Sequence, residues 1–321
     1  MKILVISQLY PEPDDVGDTK PTKTVEFFAK EWIELGHEVV VAHCSSKFPL
    51  VFYLIPLRLK NFISGITSNI FFPISSRKKM YSEAYGIRVF RFPMFKAFPG
   101  LGYSKRSIRK HTKDIVETLE KINYTPDLIV GHFANPSTEI VSLLAKNYKA
   151  KSSIVFHNDC TEKNIKKYRI DESIKGIGAI GARSVGEAKR ITELLRLSKE
   201  PFICCSGVPN NVVKNAETKS DRHDFVEGIN HICVAALIKR KNVDIVINAF
   251  KNVASSKDTL KIIGGGPQEE YIREIISDDN RIKMMGKIPR DQVFQEMKKA
   301  NVFTLISYNE TYGMVYIEAM L

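Results

Sequence analysis

Near the end of the chain, Ser307-Tyr308-Asn309-Glu310-Thr311-Tyr312-Gly313-Met314-Val315-Tyr316-Ile317-Glu318-Ala319-Met320 sets two carboxylates eight residues apart with a glycine between them. Carboxylates accept hydrogen bonds from hydroxyls, the groups that sugars and ribose present. Glu310 follows the apolar run Val302–Ile306, which reads as a strand. Glu318 falls in the early turns of a helix expected over Gly313–Met320. A loop opening into a helix N-terminus offers unpaired N–H groups and a positive dipole end, which suit phosphate. Gly313 would let the backbone approach a ligand closely. Taken alone, the pair equally fits solvated acids near a helix N-terminus, favourable by about 0.3–1 kcal/mol.

Other residues carry chemistry of the same kind. Lys241 closes the basic run Lys239-Arg240-Lys241, and taken alone it reads as a surface lysine of that run. His157 stands at the end of the apolar run Ser153–Phe156, and His132 follows Leu128–Val130. A histidine at a strand end is most often structural. Gly264-Gly265-Gly266-Pro267 ends another apolar run and reads as an architectural turn. No Asp-x-Asp pair, metalloprotease histidine pair, Gly-x-Ser-x-Gly or Walker lysine motif competes.

These residues need a scaffold, and the pattern supplies one. Ile3–Ser7, Glu38–Ala42, Leu128–Val130 and Ser153–Phe156 read as strands, interleaved with helical stretches at Thr22–Leu35, Thr112–Ile122 and Thr138–Lys146. A second series pairs His231–Ala235, Leu260–Ile263, Ile282–Met285 and Val302–Ile306 with helices at Val243–Asn252, Glu269–Ile276 and Arg290–Lys298. Strand–helix alternation of this kind builds parallel sheets, and ligands bind beyond the carboxyl ends of their strands. The polar stretch Asn210–Gly228 separates the two series, which divides the chain into residues 1–210 and 211–321.

Composition narrows the class further. The 321 residues are 44% hydrophobic and 26% charged, ordinary for a globular protein of two α/β domains. Five scattered cysteines without a C-x-x-C pair indicate neither a disulfide framework nor a zinc site, and Met1–Ile6 reads as a buried strand, not a signal peptide. The net charge of +12 is local: Lys47 to Asp114 holds 14 Lys/Arg against two acids. The apolar residues of Phe48–Ile74 are interrupted by Pro56, Arg58, Lys60 and Gly65, which argues against a membrane span. Segment 48–113 is therefore expected as a basic, apolar insertion, either packed on its domain or attracted to an anionic membrane surface.

With these residues in view, the sequence resembles glycosyltransferase family 4. The stretch from Ser307 to Met320 matches the family's S-x-x-E-x-F/Y-G-x-x-x-x-E-A-M at Ser307, Glu310, Gly313, Glu318, Ala319 and Met320. Val234–Leu237 with Lys241-Asn242-Val243-Asp244 is similar to its G-R-L-x-x-x-K-G-x-D element, with Ala236 where many members have arginine and Lys239 or Arg240 available as substitute cations. Met285–Ile288 is similar to the segment facing the nucleobase, His157-Asn158-Asp159 to the H-G-x-D motif, and Pro11–Gly17 to the glycine loop, matched only at Gly17. The resemblance implies an α/β GT-B fold, two Rossmann-like domains facing across a cleft. It also implies a metal-independent retaining enzyme of hexosyltransferase type that needs no cofactor beyond its nucleotide diphosphate sugar donor. Glu310 and His157 would act on the donor sugar, Lys241 and Gly313 on the diphosphate, Glu318 on the ribose, and Gly17 near the donor. Displacement would occur on the front face through an oxocarbenium-like transition state with no covalent nucleophile.

The expected acceptor is a saccharide or lipid-linked saccharide of cell-surface polysaccharide assembly. The expected location is cytoplasmic, with peripheral contact to the inner face of the membrane. Nucleic acid is not an expected partner. Alternatives are a GT-B nucleotide-sugar epimerase or hydrolase, and a non-catalytic sugar-binding or assembly protein. Family members continue beyond the helix bearing Glu318, so the second domain is expected to be incomplete.

Overall fold

The structure is a computed structural model that describes residues 1–11, 23–56, 59–60, 63, 77–157, 159–207, 213, 228–308, 310 and 312–321. The chain divides into two compact units, Met1–Ser206 and Gly207–Leu321. The boundary expected after residue 210 lies within 208–212, outside the described residues.

The first unit is built on β1 (Lys2–Ser7), β2 (Glu38–His43), β3 (Ser46–Lys47), β4 (Met80–Ala84), β5 (Ile87–Arg91), β6 (Met94–Phe95), β7 (Leu128–His132), β8 (Lys151–Val155), β9 (Ala179–Ala182) and β10 (Phe202–Ile203). Eight of these form one sheet in the order β10-β9-β8-β7-β1-β2-β5-β4, and β3 pairs separately with β6. Every pairing in the large sheet is parallel except β4 with β5. Strands buried on both faces read as unbroken apolar runs, and β1 obeys that rule. Leu4 and Ile6 enter one core with Ile108, Ile115 and Leu119 of helix Lys105–Lys121. Ile3 and Val5 enter the opposite core with Val25 and Ala29 of helix Thr24–Glu34. The buried Tyr124 hydroxyl lies 2.9 Å from the carbonyls of both Ile3 and Glu38, so it ties β1 to β2 from below.

The segment expected as an insertion is in part sheet. Within 48–113, β5 joins the main sheet parallel to β2, and β4 folds back beside it. Ile87, Val89 and Arg91 are buried in alternation, the period of a strand with one covered face. Arg91 ends that series with both terminal nitrogens of its guanidinium held: it donates to Ser82 Oγ at 2.7 Å and to the Pro11 carbonyl at 2.6 Å. Residues 57–58, 61–62 and 64–76 lie outside the described set. No described helix is long and apolar enough to cross a membrane.

The second unit carries β11 (Asn230–Val234), β12 (Thr259–Ile263), β13 (Ile282–Gly286) and β14 (Val302–Phe303), all parallel, in the order β13-β12-β11-β14. Its core joins Cys233, Ile262 and Leu260 to Val246, Ile247 and Phe250 of helix Val243–Val253. Gly264, at φ +142°, lies where an added Cβ would fall 1.8 Å from the Ala235 carbonyl, and a Cβ on Gly266 would fall 2.5 Å from that of Leu237. The glycines let the turn after β12 press against the turn after β11, and Leu237 N–H donates to the Gly265 carbonyl at 3.1 Å. The expected strand Val302–Ile306 is shorter than its apolar run, because beyond Phe303 the chain turns toward Arg240.

Candidate functional site

In the second unit the chain runs from β11 outward through β12 and β13, then returns to place β14 on the other side of β11. The crevice beyond the carboxyl ends of β11 and β14 is therefore a topological switch point, where open α/β sheets bind ligands. A single 3-10 turn, Lys239–Lys241, follows β11 there. The segment after β14 is fastened to it twice: Tyr308 N–H donates to the Arg240 carbonyl at 3.0 Å, and Asn242 Nδ2 donates to the Ile306 carbonyl at 2.9 Å.

These backbone ties bring Glu310 onto the basic turn. Its Oε2 accepts from Lys241 Nζ at 2.6 Å and from Arg240 Nη1 at 2.9 Å. Lys241 is only 8% exposed, so its ammonium sits against the carboxylate with little water between them. Partial burial raises the Glu310 pKa, and the hydrogen bonds and charges of Lys241 and Arg240 outweigh it, leaving the carboxyl below its ordinary value. Two cations share one carboxylate, and the turn keeps a positive surplus.

Gly313 caps helix Met314–Met320 at φ +74°, and an added Cβ would fall 2.6 Å from the Tyr316 ring. The Tyr316 hydroxyl lies 3.0 Å from Ser307 Oγ and donates to the Leu305 carbonyl at 3.2 Å, which holds the start of this helix against β14's extension. The positive φ and the close tyrosine together account for a glycine here. Glu318, on the same helix, accepts from Arg290 Nη2 at the start of helix Arg290–Lys298. Glu310 and Glu318 thus each hold their own arginine. Arg290 is a partner that spacing does not announce, since 28 residues separate it from Glu318.

The first unit has its own switch point, between β1 and β7. His132 ends β7 and His157 follows β8; His132 Nδ1 and His157 Nε2 are 3.0 Å apart, so one ring donates to the other. His157 also stacks on Phe133 at 4.1 Å, and His132 on Phe28 at 5.6 Å. Asp159 locks the two loops together, accepting from the backbone N–H groups of Ala134 and, at 2.9 Å, His157. Burial, reinforced by the Arg183 charge, pushes the His132 pKa down to about 3; burial, His132 and Arg183 push His157 well below its ordinary value. Both rings are neutral around pH 7, able to hold a hydroxyl but not to supply charge. His132 Nε2 is buried with no hydrogen-bond partner among the described residues. Gly17 lies within 12–22, outside the described residues.

Residues 229–321 match the family described as glycosyl transferases group 1. The second unit is a glycosyltransferase domain. Over its whole length the chain is 24% identical to TuaC of Bacillus subtilis, named for teichuronic acid biosynthesis as a glycosyltransferase, and covers 78% of that relative. It is also 24% identical over 278 residues to an uncharacterized glycosyltransferase of Methanocaldococcus jannaschii, with 83% of this chain and 72% of the relative covered. The galactosyltransferase WaaB, of the lipopolysaccharide outer core, superposes with a TM-score of 0.65 at 16% identity, covering 100% of this chain and 78% of its own. Anabaena HepE in complex with UDP and glucose superposes at 0.58 with 15% identity and the same coverage. The fold of the chain is GT-B, and its three-residue basic turn and Glu310 lie inside the matched domain.

Proposed function

We propose that this glycosyltransferase moves a sugar, with retention, from a nucleotide diphosphate donor to a saccharide or lipid-linked saccharide acceptor of cell-surface polysaccharide assembly. The observation that carries the reading is the Glu310–Lys241–Arg240 cluster at the switch point beyond β11 and β14. As the bond between sugar and diphosphate breaks, negative charge grows on the departing phosphate. A buried ammonium and an adjacent guanidinium are suited to meet it, the first as a point charge and the second as a planar fork. Arg240 would then supply the second cation in place of the arginine absent at Ala236. The donor's charge needs no divalent ion on this account, and activity would persist in a chelator. Glu310, kept ionised, would accept hydrogen bonds from sugar hydroxyls and Glu318 from the ribose hydroxyls, while His157 of the first unit would hold a substrate hydroxyl. HepE was crystallised with UDP and glucose, and TuaC is named for teichuronic acid biosynthesis; these support the donor and acceptor classes.

Nuclear magnetic resonance of the product after incubation with UDP-, GDP- and ADP-sugars and a glycan acceptor tests the reading. The expected product keeps the donor's anomeric configuration and forms in the presence of EDTA. Lys241→Met is expected to lower kcat/KM by about 10²–10³-fold. Release of free sugar at the same rate with and without acceptor would instead identify a hydrolase. An inverted product would overturn the retaining mechanism.

A further inference from the structure

We infer that one corner of the first unit, formed by Leu50, Val51, Leu54, Phe95, Phe98 and Leu101, docks on an anionic lipid bilayer. All six side chains are exposed, Leu54 by 81%. Scattered apolar residues on a surface are ordinary, but these are gathered by the fold. β3 pairs with β6 in the register Lys47↔Phe95, which brings the 50–54 turn beside the 95–101 loop. Phe52 links the two, its ring meeting Phe98 edge-on at 5.3 Å and Phe48 at 6.0 Å. The turn is braced from within: the Tyr53 hydroxyl accepts from Phe48 N–H at 3.2 Å, and Lys60 Nζ donates to the Tyr53 carbonyl at 2.8 Å. The apolar knobs therefore stand on a fixed base.

The charge around them decides the occupant. Between Lys47 and Asp114 basic residues outnumber acids 14 to two, and Asp114 is taken by Lys79 at 2.9 Å. Helix Lys105–Lys121 begins just past Leu101, where Tyr103 lies 2.8 Å from Ser46 Oγ beside β3. Its first turn holds Lys105 and Arg106 and no acid. Cations at the positive end of a helix are disfavoured by its dipole. Exposed Arg106 thus stands where the helix itself does not favour it, with exposed Arg109 and Lys110 following it, and the apolar groups just before them in the chain are ones that water does not favour either. A surface with anionic headgroups above hydrocarbon satisfies both. The corner lies beyond the carboxyl ends of β2 and β5, at the same edge of the sheet as His132 and His157. An acceptor held in that bilayer would meet the first unit on its functional edge.

Sedimentation with vesicles of phosphatidylglycerol and phosphatidylcholine, against vesicles of phosphatidylcholine alone, tests this without any donor present. The whole chain is expected to bind the anionic vesicles, to be released by salt, and to ignore the neutral ones. Leu54→Glu and the pair Arg106→Glu with Lys110→Glu are each expected to weaken binding by about tenfold or more. These variants should retain wild-type circular dichroism and wild-type transfer to a water-soluble acceptor. An environment-sensitive dye on Leu54→Cys should shift to shorter wavelength on anionic vesicles, which reports insertion in an otherwise unaltered corner. Equal binding to both vesicle types, unaltered binding by the variants, or no dye shift would overturn the inference. Loss of transfer by wild type would instead count against the proposed reaction and leave the vesicle result standing.

Discussion

Glu310 holds two cations with one oxygen atom, so its charge and its shape can be separated by substitution. Glu310→Gln keeps the side-chain length but removes the charge that Lys241 and Arg240 share. A nearly buried ammonium without its counter-ion is costly, but Glu310 is partly exposed and water screens the loss. A stability change of about 1 kcal/mol is expected, read by chemical denaturation. Catalysis should suffer more: kcat is expected to fall about 10²-fold, since the donor sugar exchanges a charged acceptor for a neutral amide in the transition state. Donor KM should not rise, because both cations are freed for phosphate; Lys241→Met should raise it. Steady-state kinetics on the two variants distinguishes these outcomes, and a raised KM in Glu310→Gln would refute the division of roles. The types and spacing of Glu310 and Lys241 are legible along the chain, but the partnership is not. Lys239, Arg240 and Lys241 are alike in sequence, and only the 3-10 turn decides which two meet the carboxylate.

The turns that bring these side chains together depend on glycines of unequal strictness. Gly264 at φ +142° has its absent Cβ 1.8 Å from the Ala235 carbonyl, so backbone must move to admit any side chain. Gly286 has φ +66° with open space around it. Gly264→Ala is expected to cost about 3 kcal/mol or more, and Gly286→Ala about 1 kcal/mol, in urea denaturation. Equal costs would show that φ alone, and not the pressed turns, sets the requirement. Much of this level is readable from the chain: unbroken apolar runs announce β1, β2, β7, β11 and β12, and glycine marks the turn after β12. Two pieces are not. β5 hides because the third member of its buried alternation is Arg91, whose charge breaks the apolar pattern and which donates to Ser82 on the neighbouring strand and to Pro11, far off in the sequence. β9 hides because Ala179–Ala182 is short and made largely of alanine and glycine, too small to show a period.

At the scale of the molecule, buried histidines set how the first unit meets acid. His43, at the end of β2, and His132, at the end of β7, are both buried, and both have pKa values pushed down to about 3. Desolvation is the main cause in each case, aided by Arg91 for His43 and by Arg183 for His132. An unfolded chain binds these protons near pH 6.5, so between about pH 6.5 and 3 the unfolded state holds more protons than the folded one. Stability is therefore fully present above about 6.5 and falls as pH drops, at up to ~1.4 kcal/mol per pH unit for each histidine. Asp159 works in the opposite sense, because burial raises its pKa, so the informative quantity is a difference between variants. His132→Asn cannot titrate but keeps a polar group near His157. It is expected to be less stable than wild type at about pH 7, where a packed ring and a hydrogen bond are lost, and to close that gap at about pH 4. Urea denaturation at the two pH values measures the closing directly. A gap that stays constant would mean that His132 titrates alike in both states, and that its burial between Phe28 and His157 does not exclude the proton.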